Sequence, residues 1–199
     1  MINFKIALLI YVLIYNGLII IGQSYFLYKK TGINPFNKMG RQDAQGFNEK
    51  VLIFGACLIP VIAIVFAFFE KIYFYFVPIE YLEISLIKHS GLTLAFGGLG
   101  TAFIGQLQMG NSWRTGIDKK TKTALITHGL FKYSRNPIYL ALLISLLGFF
   151  LMAPNAVSLC CLVLAYPSVE IKIRFEEMHL EQMHGKAFYE YQKKVRRWV

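Results

Sequence analysis

A chain of 199 residues that is 56% hydrophobic and only 16% charged, with 21 Lys and Arg against 11 Asp and Glu, has too little polar surface for a soluble globule of its size. Its hydrophobicity excludes a disordered chain, and its three cysteines are too few for a disulfide scaffold. The expected fold class is therefore all-α, a multi-pass membrane protein.

Charge-free runs mark the spans in chain order. Ile6 to Phe26 is 21 residues long and exceeds a typical signal-peptide core without an evident small-residue cleavage site, so it is expected to be a retained span. Val51 to Phe69 follows with 19 residues, and Gly91 to Trp113 with 23. Each approaches or exceeds the roughly 20 apolar residues that cross a hydrocarbon core. In the third run, Gly91, Ala95, Gly98, Ala102 and Gly105 fall on one helical face, a spacing that lets two membrane helices approach closely. Ile138 to Val169 spans 32 residues and is broken near its middle by Pro154 and Asn155. That run reads as a hairpin of two short helices, which brings the count to five.

Basic residues between spans accumulate on the cytoplasmic side. With the N-terminus outside and the C-terminus cytoplasmic, five spans put 18 of the 21 Lys and Arg on the cytoplasmic side. Topology thus accounts for the basic loops, and no nucleic-acid partner is expected. Cys57, Cys160 and Cys161 lie inside apolar runs and read as core or lipid-facing residues.

Polar chemistry gathers in a loop from Arg114 to Asn136 and a tail from Glu170 to Val199, and the hairpin between them should bring the two together. The loop ends in Thr127-His128-Gly129-Leu130-Phe131-Lys132-Tyr133-Ser134-Arg135-Asn136-Pro137-Ile138-Tyr139. Pro137 suits a first helical turn, and the amides of that turn beside Arg135 suit a carboxylate or phosphate. In the tail, Ile173, Met178 or Leu180, and Met183 can form an apolar face of an amphipathic helix. Arg174, Glu177, Glu181 and His184 then share the opposite face, and Gly185 can end the helix. Glu176-x-x-His179 has a metal-ligand spacing but occurs once, so no metal site is expected.

Taken together, these segments resemble the isoprenylcysteine carboxyl methyltransferase family and its relatives among phospholipid N-methyltransferases, over roughly Gln108 to Trp198. Thr127, Gly129, Arg135, Pro137, Tyr139, Glu176, Glu177, Leu180, Gly185 and Tyr191 fit the family's pattern, followed by Gln192-Lys193-Lys194-Val195 and Arg197-Trp198. Leu130 and Phe131 stand where the family has Pro and Tyr, Asn136 where it has His, Phe188 where it has a tail Tyr, and Arg196 where Pro is common.

The resemblance implies S-adenosylmethionine bound in a cytosol-facing pocket and an amphipathic or lipidated acceptor entering from the lipid bilayer. Its cofactor-binding set would be His128, Gly129, Phe131, Arg135, Asn136, Pro137, Tyr139 and Glu176. Arg174 would position a carboxylate acceptor, and Glu177 would take a proton from an amine acceptor. Residues 1–107 would supply three spans without a recognised motif, and residues 108–199 the methyltransferase-like region. Two alternatives stand beside this reading: an NADPH-dependent membrane reductase akin to sterol reductases, and a non-catalytic membrane binding protein with a decayed site.

Overall fold

The computed structural model describes residues 3–22, 25, 28–29, 43–110 and 124–199. Among them are seven α-helices and no strand beyond one isolated bridge. The basic connecting segments at 30–42 and 111–123 lie outside the described residues, as do residues 23–24 and 26–27 of the first apolar run.

Helix α1 (Phe4–Ile14) starts on Asn3, whose side chain accepts from the amides of Lys5 and Ile6, and continues as a π-helical segment, Tyr15–Gly22. Helix α2 (Ala44–Phe68) begins on an Asp43 cap, several residues before its charge-free run, because Asp43 Oδ1 accepts from Gly46 N at 2.9 Å. A short α3 (Glu70–Tyr73) and two 3₁₀ turns lead to α4 (Ser85–Met109). Helix α5 (Pro137–Met152) opens on Pro137, as expected.

Helix α6 (Ala156–His184) does not stop at Glu170, where charge begins, but runs on without a break to Gly185 at φ +50°. The tail expected as a separate amphipathic helix is thus the continuation of the last apolar helix. Backbone hydrogen bonds cross the polarity boundary freely, since each depends only on the residue four positions away. The separate C-terminal helix is a shorter one, α7 (Lys186–Lys194). Helices α2 and α6 are long and apolar enough to cross a membrane, whereas α1 with the start of its π-helical extension and α5 are shorter apolar helices.

The small-residue face of α4 lies against α5. A Cβ added at Gly98 would sit 2.6 Å from the Ala141 carbonyl oxygen, and one at Gly91 2.9 Å from the carbonyl oxygen of Gly148. Ser145 on α5 donates to the Ala95 carbonyl at 2.8 Å and exchanges a 2.9 Å hydrogen bond with the Tyr11 hydroxyl of α1. Around this contact Leu8, Tyr11, Ile62, Ala95, Phe149 and Met152 form the buried core.

The α5–α6 hairpin turns where the sequence breaks, at Pro154 and Asn155. Asn155 is fully buried and completes a reciprocal cap with Ser158: its Oδ1 accepts from Ser158 N at 2.9 Å, and its own N donates to Ser158 Oγ at 3.2 Å. Its Nδ2 donates to Ala153 O at 2.8 Å and to the Tyr73 hydroxyl at 3.3 Å. The preceding segment pairs with this turn through Ile79 N to Pro154 O (2.9 Å) and Ala156 N to Val77 O (3.1 Å). A buried, hydrogen-bonded tip sets the hairpin at one end of the bundle and leaves the loop and tail at the other.

Glycines at the α4–α5 contact should be distinguishable from glycines outside it. Gly98→Ala forces backbone atoms apart and should destabilise the protein by about 1–3 kcal/mol. At Gly97 a Cβ would meet nothing within 4 Å among the described residues, so Gly97→Ala should be neutral or stabilising by up to about 1 kcal/mol through helix propensity. Thermal unfolding of the two variants in detergent checks the contrast.

Candidate functional site

The C-terminal end of the chain returns to the loop that precedes α5. After Gly129, which adopts φ +60° against the Gln108 side chain, the chain makes a 3₁₀ turn, Gly129–Lys132, held by Leu130 N donating to Gln108 Oε1 at 2.8 Å. A side chain at 129 would meet both the left-handed backbone and the Gln108 amide, which accounts for glycine there. Phe131 is buried by this turn, and its carbonyl accepts the Tyr191 hydroxyl of α7 at 2.7 Å.

Past α7 the extended tail runs beside residues 134–136. Arg135 N donates to Arg196 O at 3.0 Å, while Ser134 Oγ and Asn136 Nδ2 both donate to Arg197 O at 3.2 Å. Asn136, at the position where the family pattern has His, thus ties the helix entry to the tail. Phe188, Tyr191 and Val195 bury themselves together with Leu125 and Leu180 and form a small second core beneath the tail.

Glu177 lies at the centre of this unit, only 7% exposed. Arg135 Nη2 approaches its Oε1 at 3.1 Å, and Arg197 grips its Oε2 through Nη2 at 2.7 Å and Nε at 3.2 Å. A buried carboxylate needs this much partnership to remain charged. Hydrogen bonding to Glu177 in turn holds the Arg197 guanidinium more firmly protonated than usual.

Glu176, the neighbouring carboxylate, accepts from the Tyr139 hydroxyl at 2.6 Å, and the ammonium of Lys172 stands 5.6 Å from the centre of the Tyr139 ring. Helix α2 reaches the same end of the bundle, where Asn48 donates to Ser168 O at 2.8 Å.

Among the residues singled out from sequence, Phe131, Arg135, Asn136, Pro137, Tyr139, Glu176 and Glu177 gather at the foot of the hairpin. His128 is exposed and enters through its backbone, its carbonyl accepting from Phe131 N at 3.1 Å. The face expected to carry Arg174 and Glu177 together is divided: Glu177 turns inward with fully buried Ile173, while Arg174 stays 65% exposed and, among the described residues, pairs with Glu170 at 3.7 Å. Of Met178 and Leu180, the two alternatives for the apolar face, Leu180 packs against the second core and Met178 is exposed. The reason is that α7 and the tail cover the charged side of α6, so Arg135 and Arg197 supply the partners that water would otherwise provide. Arg197, Tyr191, Glu170, Trp198 and Gln108 are the members that sequence reasoning left out of the site. Of these, Tyr191, Arg197 and Trp198 were visible as part of the C-terminal pattern.

The chain is thus an all-helical bundle with a loop and tail interlocked around paired carboxylates and arginines, a polar cluster at one end of apolar helices. A family model described as phospholipid methyltransferase matches residues 87–187, just over half of the 199 residues, and the chain belongs to that family. The match starts within α4, upstream of Gln108 where the motifs begin, and ends before Tyr191 and Arg197. No curated protein shows a significant match to the chain.

The contact between α7 and the loop carries a pH signature. Burial pushes the Tyr191 phenol up to about 12 from its ordinary 10.0, so the fold holds the protonated form. Its contribution is complete below about pH 10 and is lost as pH rises from there through 12. Tyr191→Phe leaves the Phe131 carbonyl without that donor and should lower stability by about 1–3 kcal/mol near neutrality. The unfolding midpoints of the wild type and this variant should converge between pH 10 and 12.

Proposed function

We propose that this chain is a five-span membrane methyltransferase that takes its methyl group from S-adenosylmethionine and transfers it to a carboxylate or amine on an amphipathic or lipidated acceptor at the cytoplasmic face. The observation that carries the reading is the meeting of Phe131, Arg135, Tyr139, Glu176 and Glu177 at the hairpin foot, within the stretch matched by the family model.

The residues present fit the cofactor. Among the described residues, Arg135 Nε is buried without a hydrogen-bond partner and the first turn of α5 has no side-chain cap. A carboxylate would satisfy both groups. Phe131 and Tyr139 offer aromatic walls to an adenine, Glu176 is an acceptor for hydroxyl groups, and His128, Gly129, Asn136 and Pro137 complete the proposed set. When bound, S-adenosylmethionine supplies an electrophilic methyl group on a sulfonium. The protein's task is to align the acceptor with it and exclude water, which is where most of the rate of an in-line displacement arises.

Arg174, exposed on the outer side of α6, orients the acceptor. Glu177 holds Arg135 and Arg197 in place, a role its two ion pairs favour over proton acceptance.

Two variants test the site by calorimetric titration of purified protein with S-adenosylhomocysteine and NADPH. Arg135→Ala should weaken S-adenosylhomocysteine by about 1.5–3 kcal/mol, the scale of a charged hydrogen bond. Glu177→Gln should weaken it by about tenfold as well, with turnover falling in step. Turnover reduced about a hundredfold or more at unchanged affinity would instead make Glu177 the proton acceptor. Binding of NADPH in place of S-adenosylhomocysteine would favour a reductase, and binding of neither would favour a non-catalytic protein.

Topology is supported by the basic-residue distribution and by exposed aromatics near the hairpin tip, among them Phe74 at 73%, Tyr75 at 80% and Tyr81 at 79%, side chains suited to a membrane interface. In a variant lacking Cys57, Cys160 and Cys161, a cysteine in place of Tyr81 should react with an impermeant reagent from outside. A reporter fused after Val199 should be cytoplasmic. Both on one side would overturn five spans.

A further inference from the structure

Helix α6 carries a proline at position 167, in the interior of an otherwise continuous helix. Proline has no amide hydrogen, so the Val163 carbonyl lacks the donor four residues on, and the helix bends more easily at this turn than elsewhere. The charged residues that α6 brings to the polar end, Glu170, Arg174, Glu176 and Glu177, all lie beyond it. Glu177 is about 13.5 Å past Ser168 at 1.5 Å per residue, so a tilt of about 10° at the proline would carry its carboxylate about 2 Å sideways. A misplacement of about 1 Å can cost a hundredfold where reacting groups must be aligned.

The fold fastens this turn from two sides. On one side Asn48 of α2, only 6% exposed, donates its Nδ2 to the carbonyl of buried Ser168 at 2.8 Å, one residue past the proline. A carbonyl oxygen has two lone pairs and can take this donor beside the helical one. Ser168, Lys172 and Glu176 follow at four-residue spacing and so share one face of α6. That face meets Tyr139, whose ring lies under Lys172 and whose hydroxyl donates to Glu176. On the other side Trp198 straddles the proline: its ring stacks on Tyr166, before it, and its Nε1 donates to Glu170, after it.

A buried carboxamide needs a partner wherever it sits, so the Asn48 bond alone says nothing of function. Its place does. Gln45, on the same face of α2, is buried too but turns its amide to Glu49 of its own helix at 3.1 Å, whereas Asn48 donates across to another helix at the one turn where that helix is weakest. We propose that Asn48 is a positioning residue: by holding the Ser168 carbonyl directly after Pro167, it fixes the direction in which α6 delivers Glu176 to Tyr139 and Glu177 to Arg135 and Arg197. The inference rests on the proposed methyltransferase reading. It gives the N-terminal region, outside the stretch 87–187 matched by the family model, a part in the site.

In a parent variant lacking Cys57, Cys160 and Cys161, spin labels on cysteines in place of exposed Ile104 of α4 and exposed Met178 of α6 report the direction of the α6 extension as a distance distribution. The parent should give one narrow distribution. Asn48→Leu, which removes the donor and keeps the bulk, should broaden it and weaken S-adenosylhomocysteine binding by about tenfold. Asn48→Ala is a second donor-free variant, for use if the larger side chain prevents folding, and Asn48→Gln, which keeps a carboxamide, should recover part of both effects. Adding Pro167→Ala to Asn48→Leu supplies the missing helical donor and should restore the narrow distribution and the affinity. Gly97→Ala, which favours the helix in α4 instead, should restore neither.

A distribution unchanged by Asn48→Leu, a failure of Pro167→Ala to restore it, or equal rescue by Gly97→Ala would overturn the proposal. So would broadening without loss of affinity in a parent that binds S-adenosylhomocysteine. The distances need no ligand, which separates this inference from the function it rests on. A parent that binds no S-adenosylhomocysteine, yet broadens with Asn48→Leu and narrows again with Pro167→Ala, removes the cofactor assignment alone. Binding in the parent that Asn48→Leu leaves intact removes the role of Asn48 alone.

Discussion

The polar end of this protein is organised around one buried carboxylate, that of Glu177. A lone buried carboxylate is strongly unfavourable, and one with a single partner is little better. Here Arg135 comes from the loop before the hairpin and Arg197 from the far end of the chain. Satisfying one side chain therefore ties three distant segments together. The tail's backbone contacts with residues 134–136 follow from the same constraint, because Arg197 can reach Glu177 only if its main chain runs beside the entry to α5.

The apolar end is organised by a different rule. Glycine and alanine on α4 and Ala141, Ser145 and Gly148 on α5 allow the two backbones almost into contact. That closeness lets Ser145 bridge to Ala95 and Tyr11 at once. With no water to separate helices and no hydrophobic gain from lipid to protein, dispersion at short range and internal hydrogen bonds provide the adhesion. The hairpin thereby becomes an extension of α4, and its foot holds the loop and tail at a fixed spacing.

Features that depend on a few adjacent residues were legible in the sequence. Pro137 opens α5, Pro154 and Asn155 turn the hairpin, Gly185 ends α6, and the Gly91-to-Gly105 stripe marks a close helix contact. Partnerships over long separations were not: Glu177 pairs with Arg135 and Arg197, and nothing in a helical wheel distinguishes a residue facing water from one facing a returning tail. Arg174 and Glu177 were grouped by periodicity, yet the tail covers one and leaves the other open. The length of α6 was hidden for a related reason, since Glu170 ends an apolar run without ending a helix.

The buried turn at Asn155 has a consequence for membrane thickness. Helix α5 has 16 residues, about 24 Å at 1.5 Å per residue, shorter than a hydrocarbon core of about 30 Å. A turn whose amides and carbonyls were open to solvent would have to climb to the lipid surface. This one meets its needs internally through Ser158, Tyr73, Val77 and Ile79, so it can end below the headgroups. In the five-span arrangement proposed above, lipids beside the tip would have to shorten or tilt to match it, which would suit the protein to thin, fluid bilayers better than to thick, sterol-stiffened ones.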